Sequence, residues 1–176
     1  MAILKIARMG HPVLLQRAQD VQDVGAEAVQ RLIQDMRETL EDAGGVGLAA
    51  PQVHVSQRLF LYSVPESRSE GSDDPALGVQ VILNPELTPE GSEMIPRIEG
   101  CLSIPGLRGE VPRYKRVRYA GYDQTGQRIE GVASGFRAHV MQHEMDHLNG
   151  ILYPMRMTDM ARLKFEAEMA RYGAQA

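Results

Sequence analysis

Two histidines and a glutamate near the end of the chain have the spacing of a metal-binding helix. They occur in the segment His143-Glu-Met-Asp-His147. Residues i and i+4 lie on one face of a helix, so both imidazoles can bind the same metal ion. Glu144 lies beside that face, where it is poorly placed as a ligand but well placed as a base toward a metal-activated water. The alternative is a solvated helix with two incidental histidines.

A third ligand is expected upstream of this helix. No His or Glu occurs in the residues that follow His147, Leu-Asn-Gly-Ile-Leu-Tyr-Pro, where many metalloproteases carry one. Cys101 is the only cysteine of the chain. It would complete a His₂Cys set with one open position, which suits Fe(II) as well as Zn(II). The alternative for Cys101 is a small buried hydrophobe.

A glycine-rich segment forms the third candidate for chemistry. It reads Gly45-Val-Gly-Leu-Ala-Ala-Pro-Gln52 and is too small and flexible for a regular element. Its backbone could approach a ligand closely, and the Gln52 amide could donate a hydrogen bond to a developing oxyanion. The alternative is a loop that only ends a helix.

Hydrophobic periodicity predicts the elements that position these residues. Three helices are expected near 25–43, from Gly135 to Leu148, and from Thr158 to about Tyr172. Strands precede the helix with the histidines, which favours an α+β fold over a parallel, doubly wound one. The predicted strands are Gln57–Val64, Val79–Leu87, 110–122 and Gln127–Ala133. Between the first two, Pro65–Gly78 is predicted to form a surface loop.

Composition limits the possible classes of protein. The chain has 176 residues, of which 43% are hydrophobic and 24% are charged, with a net charge of -4. This composition predicts one globular domain over residues 1–176 and argues against direct DNA binding. A single cysteine excludes an internal disulfide framework. Without a long apolar run or a secretion-signal pattern, we expect a cytoplasmic protein that does not insert into membranes.

Together, three segments resemble the signature motifs of the peptide deformylases. They are Gly45–Gln52, Glu99-Gly-Cys-Leu-Ser-Ile-Pro105 and Gln142-His-Glu-Met-Asp-His-Leu-Asn-Gly150. This family removes the formyl group from the initiator methionine of new bacterial and organellar proteins. The resemblance implies an α+β fold with antiparallel sheets packed around the central HExxH helix, and with an N-terminal and a C-terminal helix.

The resemblance also implies catalytic roles at matching positions. Cys101, His143 and His147 would bind one metal ion, natively Fe(II), with Zn(II), Ni(II) or Co(II) possible after purification. Glu144 would take a proton from water and pass it to the leaving amine. Gln52 and the backbone N–H of Leu102 would hold the oxyanion.

Substrate contacts are implied in the same way. Gly45, Val46 and Gly47 would pair with the peptide backbone like an added strand, and Arg108 matches a residue near the outgoing peptide. Glu99 and Arg113 match a supporting ion pair, and Asp146 is expected to point away from the metal. The residues expected to form the methionine pocket are Phe136, Val140, Arg97 and His139.

Two of these pocket positions depart from the common bacterial pattern. Arg97 and His139 stand where most bacterial members have aliphatic residues. If both side chains lie at the pocket, it should be shallower and more polar at its rim. The alternative is that both point to solvent.

The resemblance implies a monomer that acts on N-formyl-methionyl nascent peptides, with the ribosome near its exit tunnel as a second candidate partner. Three other interpretations stay open on the sequence. They are an HExxH peptidase that cleaves internal bonds, a module with a structural metal, and an enzyme with a cysteine nucleophile and a histidine base.

Overall fold

The computed structural model describes residues 2–173, which form two antiparallel sheets and three α-helices. The α-helices are α1 (Glu27–Asp42), α2 (Gly135–Leu148) and α3 (Glu166–Tyr172). The strands are β1 (Gly47–Ala49), β2 (Leu59–Val64), β3 (Leu77–Pro89), β4 (Met94–Cys101), β5 (Ile104–Tyr114), β6 (Arg116–Tyr122), β7 (Arg128–Ser134) and β8 (Lys164–Phe165). The predicted α+β fold is confirmed.

The larger sheet has five strands in the order β1-β2-β3-β6-β7, so β1 forms one edge. Successive side chains of a strand point to opposite sides of the sheet. In β2 the side chains on both sides are buried. Leu59 and Leu61 pack in the same cluster as the buried side of α1. Phe60 and Tyr62 pack with side chains of α2 on the other side. The sheet therefore separates the two long helices.

The smaller sheet has three strands in the order β4-β5-β8. Strands β4 and β5 form a hairpin in which Glu99 pairs with Gly109 and Cys101 with Ile104. Contacts from α2 to both sheets place this helix between them. The helix with the two histidines is thus central, as the family resemblance implied.

The apolar residues of helix α1 recur with the helical period, which is why the sequence predicts this helix well. Its buried stripe consists of Val29, Ile33, Met36 and Leu40, spaced at three and four residues. The helix ends before Gly44, which has a φ of +61° that an L side chain rarely adopts. The predicted range 25–43 differs from the observed one by only two residues at the start and one at the end.

The prediction of a long C-terminal helix from Thr158 is wrong. Residues Met160–Arg162 form a 3₁₀ turn, and Lys164–Phe165 pairs with Arg108 and Leu107 of β5. Of the range predicted to be helical, Thr158 to about Tyr172, only Glu166–Tyr172 forms an α-helix. The open edge of β5 offers backbone hydrogen-bond partners to this segment. Local helix propensity takes no account of such partners on a distant strand.

The prediction of one strand over 110–122 is also wrong. The chain turns at Lys115, whose N–H donates to the carbonyl of Glu93 outside both strands. Residues on either side belong to β5 of the smaller sheet and β6 of the larger one. Across residues 2–173, no helix is long and apolar enough to span a membrane.

Candidate metal centre

Three possible ligand atoms converge where the end of β4 meets α2. Cys101, His143 and His147 each offer one donor atom, and these atoms all lie within 4.8 Å of one another. The Sγ of Cys101 is 3.2 Å from Nε2 of His147. A thiolate and two imidazoles are a donor set that a divalent metal accepts in tetrahedral geometry, with one position left for water or substrate.

The ring of His143 is oriented by a buried carboxylate. Its Nδ1 lies 2.6 Å from Oε2 of Glu99, which leaves Nε2 as the nitrogen available for a metal. The ring also stacks on Tyr153 with an interplanar angle of 25°. A carboxylate behind a ligand histidine fixes its tautomer and raises its basicity, as in many metal sites.

The charges of the cluster favour the thiolate form of Cys101. Burial alone would raise the pKa of the Cys101 thiol, but His147 and His143 hold that pKa well below its usual value. Burial likewise opposes the charge of Glu99, whose pKa is nevertheless lowered well below normal by hydrogen bonds from His139 and His143. The thiolate is the form of cysteine that binds metals.

Glu144 is buried beside these ligands. Burial raises the pKa of its carboxyl to about 7. Its Oε2 has no hydrogen-bond partner among the residues that the structure describes. A Cβ added to Gly47 would lie 2.1 Å from Oε1, so only glycine leaves room for this side chain. An enclosed carboxylate with an unpartnered oxygen can accept a proton from a bound water.

Gln52 is held by hydrogen bonds at both atoms of its amide. Its Oε1 accepts from the N–H of Ala49 at 2.8 Å, and its Nε2 donates to Ser103 Oγ at 3.1 Å. The same Nε2 lies 3.6 Å from the sulfur of Cys101. These contacts fix a donor nitrogen beside the ligand cluster.

A cavity of about 440 Å³ opens over the cluster. It brings together most of the residues that the sequence singled out for catalysis or substrate binding. Those that line it are Gly45, Val46, Gly47, Gln52, Cys101, Leu102, Arg108, Phe136, His139, Val140, His143 and Glu144.

Arg97 does not line this cavity. Its guanidinium forms an ion pair with Glu70 in the loop that follows β2. The structure thus does not bring Arg97 into the cavity lining where the sequence expected it, because a carboxylate of that loop binds its guanidinium.

His139 lines the cavity but forms no polar rim. The residue is 5% exposed, and its Nε2 lies 3.0 Å from Oε1 of Glu99. Burial lowers the pKa of its imidazole. Its main contact is thus with the carboxylate that orients His143, which the sequence did not predict.

Behind the cluster, Asp146 joins two arginines. Arg113 donates to both oxygens of Glu99, and its Nη1 donates to Asp146. Arg156 binds Asp146 from the other side, with Nη2 2.7 Å from Oδ1. The expected Glu99–Arg113 pair is present, and Asp146 points away from the metal ligands as expected. Arg156 carried no signal in the sequence.

Known proteins resemble this chain over most of its length. Residues 3–163 match the sequence profile of a family described as polypeptide deformylase. The chain belongs to the polypeptide deformylase family. Peptide deformylase 1 of Nitrosomonas europaea is 45% identical over 163 residues, covering 93% of this chain and 92% of that protein. Peptide deformylase 1 of Bordetella pertussis is 47% identical over 160 residues, covering 91% and 90%.

Solved deformylases have the same fold. The class I type b peptide deformylase of Acinetobacter baumannii, crystallised with Met-Ala-Ser, superposes with a TM-score of 0.81 at 37% identity. It covers 89% of this chain and 99% of its own. The Thermotoga maritima peptide deformylase gives a TM-score of 0.80 at 36% identity, covering 90% and 100%.

Deformylases are metal-dependent hydrolases of protein biosynthesis. They remove the formyl group from the N-terminal methionine of nascent polypeptides and release formate and a free amine. Membership of this family decides against the peptidase, structural-metal and cysteine-nucleophile interpretations.

Proposed function

We propose that Cys101, His143 and His147 bind one divalent metal ion, Fe(II) in the cell, and that Glu144 acts as the general base for deformylation. The observation that carries this proposal is the convergence of the three donor atoms within 4.8 Å, beside a buried carboxylate and under an open cavity. When bound, the metal supplies a Lewis acid that activates water and polarises the formyl carbonyl.

The protein's own residues then move protons and stabilise charge. Glu144 accepts a proton from the attacking water and delivers it to the amine nitrogen that leaves. Its burial keeps bulk water away, and a pKa of about 7 suits both the acceptance and the release of a proton. Nε2 of Gln52 and the N–H of Leu102 donate to the oxyanion as it develops.

Strand β1 is the proposed docking strand for the peptide backbone. It lies at the edge of the five-stranded sheet, where its outer N–H and C=O groups can pair with an extended peptide. Gly45, Val46 and Gly47 line the cavity along this edge. The Acinetobacter relative that binds Met-Ala-Ser supports a peptide beginning with methionine.

The methionine side chain would lie against the apolar side chains of α2. Phe136 and Val140 line the cavity on one face of that helix. Arg108 lies toward the outgoing peptide and is held by Glu166, with 2.7 Å between Nη2 and Oε1. This arrangement would place the formyl group at the ligand cluster and the rest of the peptide toward the cavity mouth.

The wider setting belongs to the same proposal. We place residues 1–176 in one catalytic domain that works as a monomer in the cytoplasm. The ribosome near its exit tunnel is the proposed second partner, because formylated methionine is presented there on emerging chains.

Anaerobic purification with metal analysis, followed by an assay on formyl-Met-Ala-Ser, tests this function. We expect about one iron per chain, and release of formate and of Met-Ala-Ser. Cys101→Ala should bind the metal far more weakly. Full metal occupancy and activity in Cys101→Ala would overturn the ligand assignment. If metal-loaded wild type releases no formate from formyl-Met-Ala-Ser, the proposed substrate is wrong.

A further inference from the structure

The loop between β2 and β3 is anchored beside the cavity, and we call residues 66–74 the rim segment. Asp74 is 1% exposed, and its carboxylate accepts from the N–H of Phe136 at 2.7 Å and of Arg137 at 3.2 Å. These donors are free N–H groups in the first turn of α2, where a carboxylate is favourable. Ser69 Oγ donates to the Asp74 carbonyl at 2.7 Å. One end of the rim segment is thus fixed to α2.

The rim segment is held at two further points. Glu70 forms the ion pair with Arg97 of β4, and Ser134 Oγ donates to the carbonyl of Asp73 at 2.7 Å. The segment therefore has a defined position relative to both sheets. Its anchored backbone therefore holds the adjoining residues of the segment beside the cavity.

Arg68 is the side chain of this segment that reaches the cavity. It lines the cavity, and its guanidinium carbon lies 5.3 Å from the centroid of the Phe136 ring. A guanidinium over an aromatic face is a favourable arrangement that restrains the side chain. Arg68 thus lies directly above a residue of the proposed methionine pocket.

The charge of Arg68 is not neutralised by an ion pair within residues 2–173. The other arginine of the cavity, Arg108, is paired with Glu166, and the cavity carboxylate Glu99 is paired with Arg113. No carboxylate lies within ion-pair distance of Arg68 in the described chain. A substrate that passes the rim segment therefore meets a positive charge free to form a new pair.

Resting on the proposed function, we infer that Arg68 is a specificity-determining residue that favours an acidic side chain at the third residue of the formylated peptide. A peptide that extends β1 is itself extended, and alternate side chains point to the same side. With the methionine side chain directed at Phe136, the third side chain points to that same side, about 7 Å further along. Arg68 lies over Phe136 on this side, whereas the second side chain points away.

The expected effect is modest, because the pair would form at a solvent-accessible site. Exposed ion pairs typically change an equilibrium by about two- to five-fold. Added salt should reduce the preference, because the Debye length shrinks to about 3 Å at 1 M.

Four peptides with amidated C-termini provide the test, so that the terminal carboxylate does not compete. They are formyl-Met-Ala-Asp, formyl-Met-Ala-Lys, formyl-Met-Asp-Ala and formyl-Met-Lys-Ala. We expect metal-loaded wild type to favour Asp over Lys at the third residue by about two- to five-fold in kcat/KM, mainly through KM. The ratio at the second residue should be near one.

Variants assign this preference to Arg68. Arg68→Gln should bring the third-residue ratio close to one, and Arg68→Lys should keep most of it. The matched control is Arg128→Gln on β7, an exposed arginine outside the cavity, which should keep the wild-type ratio.

The outcomes separate the two proposals. Equal wild-type rates on the Asp and Lys peptides, a ratio unchanged by Arg68→Gln, or a preference at the second residue would each overturn the role of Arg68 and leave deformylation intact. If metal-loaded wild type cleaves none of the formyl peptides, the proposed function is overturned, and this inference with it.

Discussion

Oε2 of Glu99 lies 2.6 Å from Nδ1 of His143, which joins the end of β4 to the helix that carries two of the metal ligands. The carboxylate is saturated with donors, since Oε1 also receives His139 at 3.0 Å and Arg113 donates to both oxygens. A buried carboxylate held in this way orients the imidazole before any metal arrives.

Glu99→Gln is expected to weaken metal binding by about 10- to 100-fold, the usual effect of removing the carboxylate behind a ligand histidine. The amide keeps the shape but loses the charge that holds the His143 ring. Metal titration followed by competition with a chelator measures the change.

Glu93→Gln is the matched control for this prediction. Glu93 is a largely exposed carboxylate that pairs with Lys115 away from the site, so its variant should bind metal like wild type. Equal metal affinity in Glu99→Gln and Glu93→Gln would refute the orienting role of Glu99.

Glu144→Gln should keep its metal and lose activity. The amide fits the same buried space but cannot accept a proton from water, and loss of a general base typically costs about 10²–10⁴-fold in rate. Metal content and kcat measured on the same sample distinguish this result from loss of the ion. Turnover near that of wild type in the metal-loaded variant would remove Glu144 from its proposed role.

Gly47→Ala should also abolish most activity while the metal stays bound. The added Cβ would lie 2.1 Å from Oε1 and 2.7 Å from Cδ of Glu144, so the carboxylate must move away. A base displaced by about 1 Å can cost about 10²-fold in rate. The readouts are kcat on formyl-Met-Ala-Ser and metal content.

Gly78→Ala provides a control with the same chemical change in another strand. Nothing lies within 4 Å of the Cβ that would be added to Gly78. This variant should therefore retain wild-type activity. If both alanine variants are equally active, Gly47 does not limit the position of Glu144.

The sequence predicted the parts of this fold that local periodicity determines. Helix α1 appears where its apolar residues recur at three and four positions, and α2 spans Gly135–Leu148 as predicted. The C-terminal segment could not be predicted in this way, because the pairing of Phe165 with Leu107 depends on an open strand edge far away in sequence.

In the candidate site, too, the sequence identifies residues with a characteristic local spacing but not those defined by contacts between distant elements. The spacing of His143 and His147 identifies two donors on one helix face, and the single cysteine suggests the third. Arg68 and the contacts of His139 carry no such signal, because each is defined by a partner on another element. Arg68 meets Phe136 only through the anchored rim segment, and Nε2 of His139 meets Glu99 of β4.

The enzyme is expected to cleave formyl-Met peptides and to leave acetyl-Met peptides nearly untouched. We expect little room beside the acyl carbon, because the backbone of Gly45–Gly47 and the side chain of Leu102 line the cavity next to the ligand cluster. A methyl group is larger than the formyl hydrogen and finds little room there. Parallel assays of the two acylated forms of Met-Ala-Ser test this, and equal rates would indicate a general amidase.

Arg97→Ile and His139→Ile are expected to have different effects, although both restore the aliphatic residues of common bacterial members. Arg97 does not line the cavity, and the rim segment that carries its partner Glu70 is also anchored to Phe136 and Ser134. Arg97→Ile should therefore leave KM and the preference for methionine over shorter side chains unchanged. His139 lies in the cavity wall and holds Glu99. His139→Ile should therefore add apolar surface beside Phe136 and remove one donor from the carboxylate behind His143.

His139→Ile is therefore expected to bind formyl-Met peptides more tightly and to hold the metal more weakly. Burial of more apolar area stabilises bound methionine by about 25 cal/mol per Å², so KM for formyl-Met peptides should fall and the methionine preference should rise. The lost donor should also make the metal easier to remove by a chelator, because the support of His143 is weaker. Measuring KM across methionine, norvaline and alanine peptides, together with chelator resistance, tests both effects. Identical behaviour of the two isoleucine variants would show that the wall position of His139 does not influence substrate or metal.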